Sequence, residues 1–324
     1  METKMQKIPY MPLTAAPFRK NEKYRETAPH HPELRKYIRC FWGSDVFYTK
    51  KEEDAGIVVP DTCVDIIYWV DYTANKISGG FCGINDVSFS ETDKTMEGHL
   101  VSVFAIRFYA WEACAFAEDS LKGTLNGHYD VRSRFRWLDE LLRPLLFEKE
   151  TLRERINITE ALFLRRLAGV KTTAYRQIAN TQFSSARYSS VRYTSTQSAS
   201  VQSVPMKPES VQSAVALILL HKGALTTEQL AKECFISCRQ LERLFHEYIG
   251  ITPKKLANLV RYQSVWREVL ENPAFQVQDA VWKYGYADQS HMMREFKRYH
   301  GMDMRTARKY AYHVGNIQYP SSIS

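Results

Sequence analysis

A ten-residue pattern that occurs twice in the last third of the chain constrains its fold more than any other feature. Residues 241–250 read LERLFHEYIG and residues 292–301 read MMREFKRYHG, with apolar, Arg, Phe, Tyr and Gly residues at the same spacing. Ser237 precedes the first copy and Asp288 the second, and both residue types cap the amino ends of helices. A glycine, typical of a helix carboxyl end, closes each copy. The pattern predicts two short helices that start and stop in the same way.

A shorter helical segment and a tight turn precede each of these helices. Thr226 and Gln229 form a capping-box pattern that opens the first segment. Residues 277–283 form the second segment, which ends near Gly285. Two helices joined by such a turn, the second with a basic outer face, are typical of the helix-turn-helix, whose second helix enters a DNA major groove. Between the two units, Pro253 opens an amphipathic segment that predicts a long linking helix.

The outer faces of the two predicted reading helices carry side chains that suit base recognition. Arginine can donate two hydrogen bonds to guanine, glutamine pairs with adenine, and glutamate accepts from cytosine. Lysines and arginines beside them suit phosphates, which set register and carry little sequence information. A solvated helix face is the alternative interpretation, and it explains one basic helix better than two spaced copies.

Residues 210–312 resemble the DNA-binding domain of the AraC/XylS family of bacterial transcription regulators. The resemblance rests on Ser237-x-x-x-Leu241-x-Arg243-x-Phe245, Gly250-x-Thr252-Pro253, Arg261, and Gly285-Tyr286-x-Asp288-x-Ser290 followed by Arg294-x-Phe296-Lys297. It implies two helix-turn-helix units joined by a long helix. The chain departs from the family after Gly301, where Asp303-Met304 replaces the usual Thr-Pro pair.

The resemblance implies base contacts from the exposed faces of both reading helices, and the chemistry of neighbouring cations predicts phosphate contacts. The predicted base-contacting residues are Arg239, Glu242, Arg243, Gln289, Ser290, His291, Met293 and Arg294. The predicted phosphate-contacting residues are Lys254, Lys255, Arg261, Lys297 and Arg298.

The first part of the chain has a different pattern, with short runs of β-branched and aromatic residues separated by turn residues. The longest runs, residues 64–70 and 100–108, predict strands of a small β domain with flanking helices, so the predicted fold class is α+β. Arg39-Cys40-Phe41-Trp42, Pro60-Asp61-x-Cys63-x-Asp65-Ile66-Ile67, Gly83 and Ile106-Arg107-Phe108 resemble the cupin-like N-terminal domain of one branch of the same family. That resemblance implies an effector or partner role for this domain.

Three charged residues beside the predicted strands have two interpretations. Asp61, Asp65 and Arg107 could orient a polar effector in a pocket. Alternatively, Asp61 forms a turn and Arg107 an internal ion pair. The sequence leaves both open.

The six cysteines do not predict a metal or redox site. None of them forms a C-x-x-C pair, and H-x-H and H-E-x-x-H spacings are missing as well. We therefore expect no metal, no cofactor and no enzymatic activity. A DNA-binding repair enzyme and regulator with a reactive cysteine is the alternative.

Composition and segment boundaries complete the predicted organisation. The charge of +8 suits a polyanionic partner, and a signal peptide and a long apolar run are both missing, so we expect a cytoplasmic protein without membrane association. Expected partners are double-stranded DNA, RNA polymerase, a small-molecule effector and a second copy of the chain. Activation is the predicted mode of regulation, with repression left open. The predicted segments are a regulatory domain (1–130), a helical connector (131–180), a flexible linker (181–209), the DNA-binding domain (210–312) and a tail (313–324).

Overall fold

A computed structural model describes residues 10–13, 24–49, 56–91, 97–169 and 207–314. The N-terminal part is built on antiparallel strands and the C-terminal part is helical, so the predicted α+β class is confirmed. Most of the predicted linker, residues 181–206, and tail residues 315–324 lie outside the described residues.

Antiparallel strands form the centre of the N-terminal domain. They are β1 (Arg25–Thr27), β2 (Ile38–Gly43), β3 (Phe47–Tyr48), β4 (Gly56–Val58), β5 (Cys63–Asp71), β6 (Lys76–Cys82), β7 (Phe89–Glu91), β8 (Leu100–Tyr109) and β9 (His128–Asp130). The main sheet has the order β1-β2-β8-β5-β6-β9, with β3 also paired to β8, and β4 pairs with β7. Strand β8 is central, and because its interior is buried on both faces, its sequence is nearly continuously apolar.

Two helices, α1 (Arg132–Leu142) and α2 (Leu152–Ala168), pack on this sheet. The Phe108 ring of β8 lies 6.0 Å from that of Phe135 and 5.6 Å from that of Phe163. Arg155 of α2 is fully buried and donates to the Ser102 hydroxyl of β8 at 2.8 Å. The described part of the predicted connector is therefore part of the N-terminal domain, because its apolar face covers the sheet.

The helices of the C-terminal domain follow the predicted order. They are α3 (Glu209–Leu220), α4 (Thr227–Glu233), α5 (Cys238–Tyr248), α6 (Pro253–Glu271), α7 (Val277–Lys283), α8 (Gln289–His300) and α9 (Met304–Val314). Helices α4 and α5 form the first helix-turn-helix unit, α7 and α8 form the second, and α6 links them. Among the described residues, no helix combines the length and apolar character needed to cross a membrane.

Local hydrogen bonds explain where these helices begin. The Ser237 hydroxyl accepts from the Gln240 amide at 3.2 Å, and an Asp288 carboxylate oxygen accepts from the His291 amide at 2.7 Å. Asp303 caps α9, since its carboxylate accepts from the amide of Thr306 at 3.0 Å. Asp303 thus supplies the helix start that the missing Thr-Pro pair would otherwise give.

The N-terminal domain contacts the helices directly. Lys207 is buried and donates to the Trp111 carbonyl at 2.8 Å and to the Glu112 carboxylate at 3.0 Å. The last residues of the predicted linker, from Lys207 onward, are therefore packed against the N-terminal domain rather than free. A buried ammonium group needs such partners, so these contacts hold Lys207 against the N-terminal domain.

Candidate nucleic-acid interface

The first reading helix, α5, buries one face and exposes the other. Leu241 and Phe245 are fully buried and hold the helix against its neighbours. Arg239, Glu242 and Arg243 are exposed, as the base-contact prediction requires. The Arg243 guanidinium lies 3.4 Å from a Glu247 carboxylate oxygen, but both side chains are largely exposed. Such pairs contribute under about 1 kcal/mol, so Arg243 can exchange this partner for a base.

The second reading helix, α8, has the same arrangement with two differences. Gln289, Ser290 and Arg294 are exposed. His291 is half-buried, with its ring 5.5 Å from the ring of Tyr286. The side chain at this edge of the face is thus partly taken up by packing.

Met293 does not fit the predicted base contact. Its side chain is half-buried and lines an apolar cavity with Phe275, Val277 and Met304. The thioether packs toward the helices behind α8 because apolar surface is available there. Met293 is therefore a packing residue in this structure.

Arg261 also differs from the prediction. Its guanidinium donates three hydrogen bonds to the Glu295 carboxylate, with Nη2 at 2.8 Å from one oxygen and 3.0 Å from the other, and Nε at 3.2 Å from the latter. The Tyr286 hydroxyl donates to the same carboxylate at 2.9 Å, and the guanidinium lies 4.3 Å from the Tyr286 ring centre. Burial lowers the pKa of Arg261, but the hydrogen bonds and charge of Glu295 outweigh it and raise the pKa overall. Arg261 fixes α8 to α6 and is not presented to a phosphate.

The remaining predicted phosphate contacts lie at the surface or close to it. Lys254, Lys297 and Arg298 are exposed. The Arg298 guanidinium lies over the Tyr299 ring, 4.3 Å from its centre, so its side chain is held in place. Lys255 is ion-paired with Asp86 of the N-terminal domain.

Sequence reasoning missed the polar contacts behind the second reading helix. The Tyr262 hydroxyl and His300 Nδ1 are 2.8 Å apart, and both residues are buried. Burial lowers the pKa of His300 to about 4. One signal could have predicted such burial, since Glu295 and His300 lie on the same helical face as the apolar residues Met292 and Phe296.

Asp61, Asp65 and Arg107 form a closed internal cluster. Arg107 donates through Nε to one Asp65 oxygen at 2.9 Å and through Nη2 to the other at 3.0 Å, and its Nη1 lies 3.7 Å from Asp61. Another Asp61 oxygen accepts from the Cys63 amide at 2.7 Å. Burial raises the pKa of Asp61 to about 6 despite the opposing charge of Arg107. The structure therefore matches the turn and internal ion pair, and the effector-binding assignment of these residues stays a prediction.

Comparisons with known proteins agree with this geometry. A helix-turn-helix domain family matches residues 230–310. The match spans most of the two helix-turn-helix units, so the chain contains a helix-turn-helix domain of this family. Residues 25–130 match a domain of unknown function (DUF6597).

Several solved structures are similar to part or most of this chain. A transcriptional regulator with an AraC-type DNA-binding domain from Chromobacterium violaceum is 22% identical over 33% of this chain and 95% of its own, with a TM-score of 0.30. The DNA-binding domain of AdpA in complex with a target DNA is 22% identical over 32% of this chain and 94% of its own, with a TM-score of 0.30. ToxT from Vibrio cholerae bound to an unsaturated fatty acid is 11% identical over 85% of this chain and 97% of its own, with a TM-score of 0.38. None of the curated proteins matches the chain.

Four of the six cysteines are poorly placed for nucleophilic chemistry. Burial raises the pKa of the Cys40, Cys63 and Cys234 thiols, and that of Cys114 to about 11. A raised pKa disfavours the thiolate that attacks substrates. Within the described ranges, no group of three or more His, Cys, Asp or Glu residues is arranged to hold a metal ion.

Proposed function

We propose that the chain is an AraC-type transcription regulator that binds one DNA duplex through both helix-turn-helix units, with α5 and α8 in adjacent major-groove segments. One observation supports this above all. In both helices the polar side chains of the amino-terminal half, apart from the half-buried His291, are exposed, while the opposite face is buried in the domain. Residues in that half contact base edges when such helices dock.

The assignment of roles follows exposure and chemistry. The proposed base-reading residues are Arg239, Glu242, Arg243, Gln289, Ser290 and Arg294, with His291 at the edge. Lys254, Lys297 and Arg298 are proposed to contact phosphates. Regulation of transcription, without a catalytic step, is the proposed activity.

Selection of bound sequences from random duplex DNA by the purified full-length protein tests the proposal. At a stated, near-physiological salt concentration, we expect two conserved sequence blocks about one helical turn apart. A single conserved block would mean that only one unit reads bases. Absence of any conserved block would refute sequence-specific reading under these conditions.

Variants separate the two classes of contact. Arg243→Ala and Arg294→Ala should each cost about 1–3 kcal/mol at the selected site and relax its sequence preference. Lys297→Ala is the matched control, since loss of a phosphate contact weakens binding to all sequences alike. Equal losses on selected and random DNA for all three variants would contradict the assignment.

A cavity of about 340 Å³ supports control by a small polar molecule. It lies between Tyr10 and Met11, the linking helix α6, and Lys283 of the second unit, and its volume is within the range of ligand pockets. A ligand there would touch the N-terminal segment and the DNA-binding domain together. A thermal-shift screen of metabolites should find a compound that stabilises the protein. Arg267→Met changes the cavity wall and should remove this stabilisation. An unchanged shift in that variant would place the ligand elsewhere.

Protein partners are proposed from two exposed aromatic side chains. Phe235 is 94% exposed and Trp282 is 84% exposed, one on each helix-turn-helix unit. Aromatic side chains are enriched in the surfaces through which proteins bind one another. We propose RNA polymerase and a second copy of the chain as partners. The double variant Phe235→Ser, Trp282→Ser should lower activated transcription in a purified system without changing the affinity for DNA. Sedimentation should report the oligomeric state.

A further inference from the structure

The N-terminal domain covers the carboxyl end of the first reading helix. The backbone amide of Leu121 donates to the Glu247 carbonyl at 2.9 Å, and the Ser120 hydroxyl donates to the same oxygen at 3.1 Å. Carbonyls in the last turn of a helix lack partners within the helix. A loop of the other domain therefore supplies the hydrogen bonds that end α5.

The glycines that follow the two reading helices both approach this domain closely. Gly250 has φ +89°, and a Cβ atom there would lie 2.7 Å from the Leu121 carbonyl oxygen and 2.7 Å from the Thr124 hydroxyl. Gly301 has φ +80°, and a Cβ atom there would lie 2.5 Å from the Ser88 hydroxyl. The carboxyl ends of both α5 and α8 thus rest against N-terminal loops.

Those two loops, residues 84–88 and 120–126, are tied to each other and to the linking helix. The Asp86 amide donates to the Asn126 side-chain oxygen at 2.8 Å, and the Asn126 side-chain nitrogen donates back to the Asp86 carboxylate at 2.7 Å. The other carboxylate oxygen of Asp86 accepts from Lys255 in the first turn of α6. Asp86 is only 7% exposed, whereas the Lys255 side chain is 40% exposed, so the carboxylate lies at the buried side of this junction.

A third contact lies in the middle of the linking helix. The buried Gln263 side chain donates to the Pro60 carbonyl at 2.7 Å and accepts from the Leu13 amide at 2.8 Å. The linking helix is the covalent connection between the two helix-turn-helix units. The N-terminal domain adds a second, noncovalent connection between the same units, and together they form a closed frame.

This connection leaves the base-reading side chains open. Arg239 and Glu247 are eight residues apart, so the covered end of α5 lies about 12 Å along the helix from its first base-reading residue. In α8, likewise, Gln289 to Arg294 occupy the amino-terminal half and Gly301 lies past the opposite end. The contacts with the N-terminal domain are therefore compatible with bound DNA.

We propose that the N-terminal domain sets the distance between the two reading helices, and thereby the spacing between the two operator blocks that the chain accepts. Asp86 and Asn126 are the positioning residues, because they join the loop beside α8 to the loop beside α5. The inference rests on the proposed function, in which both units read DNA.

The test measures affinity for duplexes that carry both selected blocks with spacers changed by one and two base pairs. The proteins compared are the full-length wild type, the double variant Asp86→Ala, Asn126→Ala, and the milder single variant Asp86→Asn. Glu97→Ala is the matched control, because this carboxylate is exposed in the same domain.

We expect the wild type and the control to bind one spacing best. One added base pair should lower the affinity of the double variant about tenfold less than it lowers that of the wild type. Losing one charge-assisted hydrogen bond corresponds to about this factor in affinity. Asp86→Asn should lie between them, with affinity for a single block unchanged in all four proteins. Unchanged single-block affinity also shows that the variants are folded.

Two results would overturn the inference. One is the same spacing preference in the double variant as in the wild type. The other is an equal gain in affinity at every spacing, which would make the junction an inhibitory contact instead. If the wild type selects only a single block, the proposed function itself fails, which is a different result from either of these.

Discussion

Replacing Arg261 with methionine tests whether this arginine holds the second reading helix or contacts DNA. The Arg261 and Glu295 side chains are 11% and 7% exposed, respectively, and they share a two-pronged hydrogen-bonded ion pair. In Arg261→Met, the buried carboxylate would keep only the Tyr286 hydroxyl as a partner. Removing one partner of a buried pair lowers the free energy of unfolding by about 3–5 kcal/mol. Replacing an exposed phosphate-contacting side chain changes it by no more than about 0.5 kcal/mol.

Urea denaturation of the full-length protein measures this cost. With a slope of about 3 kcal/mol per molar urea, the midpoint for the C-terminal domain should fall by roughly 1–2 M. The double variant Arg261→Met, Glu295→Met should recover most of the loss, because a buried ion pair can be replaced by apolar side chains at little cost. Lys297→Met is the exposed control and should leave the midpoint unchanged.

The salt dependence of DNA binding distinguishes the two roles. Loss of a phosphate contact lowers the slope of log affinity against log salt by about 0.9. We expect that change for Lys297→Met and not for Arg261→Met. An unchanged urea midpoint together with a reduced slope in Arg261→Met would refute the structural role.

Three further predictions concern burial and backbone strain. The folded-state pKa of His300, about 4, lies below its ordinary value of 6.5, so its contribution to stability is present above pH 6.5 and is lost as the pH falls through 4. His300→Gln should therefore weaken the acid dependence of the unfolding midpoint, and an unchanged dependence would contradict this. Asp61 has a raised pKa of about 6, so its contribution is present below its ordinary value near 3.8 and is lost as the pH rises through 6. Asp61→Asn should raise the melting temperature more at pH 8 than at pH 4, and equal shifts would count against it. Phe235 has φ +54° and is 94% exposed. Because glycine adopts positive φ without strain, Phe235→Gly should stabilise the fold by about 1 kcal/mol. A lower melting temperature would show that the Phe235 ring makes a stabilising contact.

The helices of the DNA-binding domain could be predicted from the sequence because their signals are local. Ser237 and Asp288 cap helices through amides three residues away, and Pro253 begins the linking helix as predicted. Apolar residues at helical spacing identify the buried face within ten residues. The strands around residues 64–70 and 100–108 were likewise predicted from short apolar runs.

The partners of charged residues could not be predicted in this way. Arg261 belongs to a basic helix face by sequence, and only the packing of α8 on α6 gives it Glu295 as a partner. Lys255 shares its ion pair with Asp86, a residue from the other domain. A local pattern shows that a side chain is charged, but the choice between a phosphate and a carboxylate depends on elements distant in sequence.

By itself, the sequence determined two capped reading helices, the linking helix and an α+β class, because hydrogen bonds and apolar periodicity within a few turns specify them. The tertiary structure decided which predicted contacts are exposed and which are internal, as Met293 and the Asp61–Arg107 cluster illustrate. It also decided that the N-terminal domain rests on the ends of both reading helices. Burial and ion pairing depend on which surfaces meet, and only the folded chain brings those surfaces together.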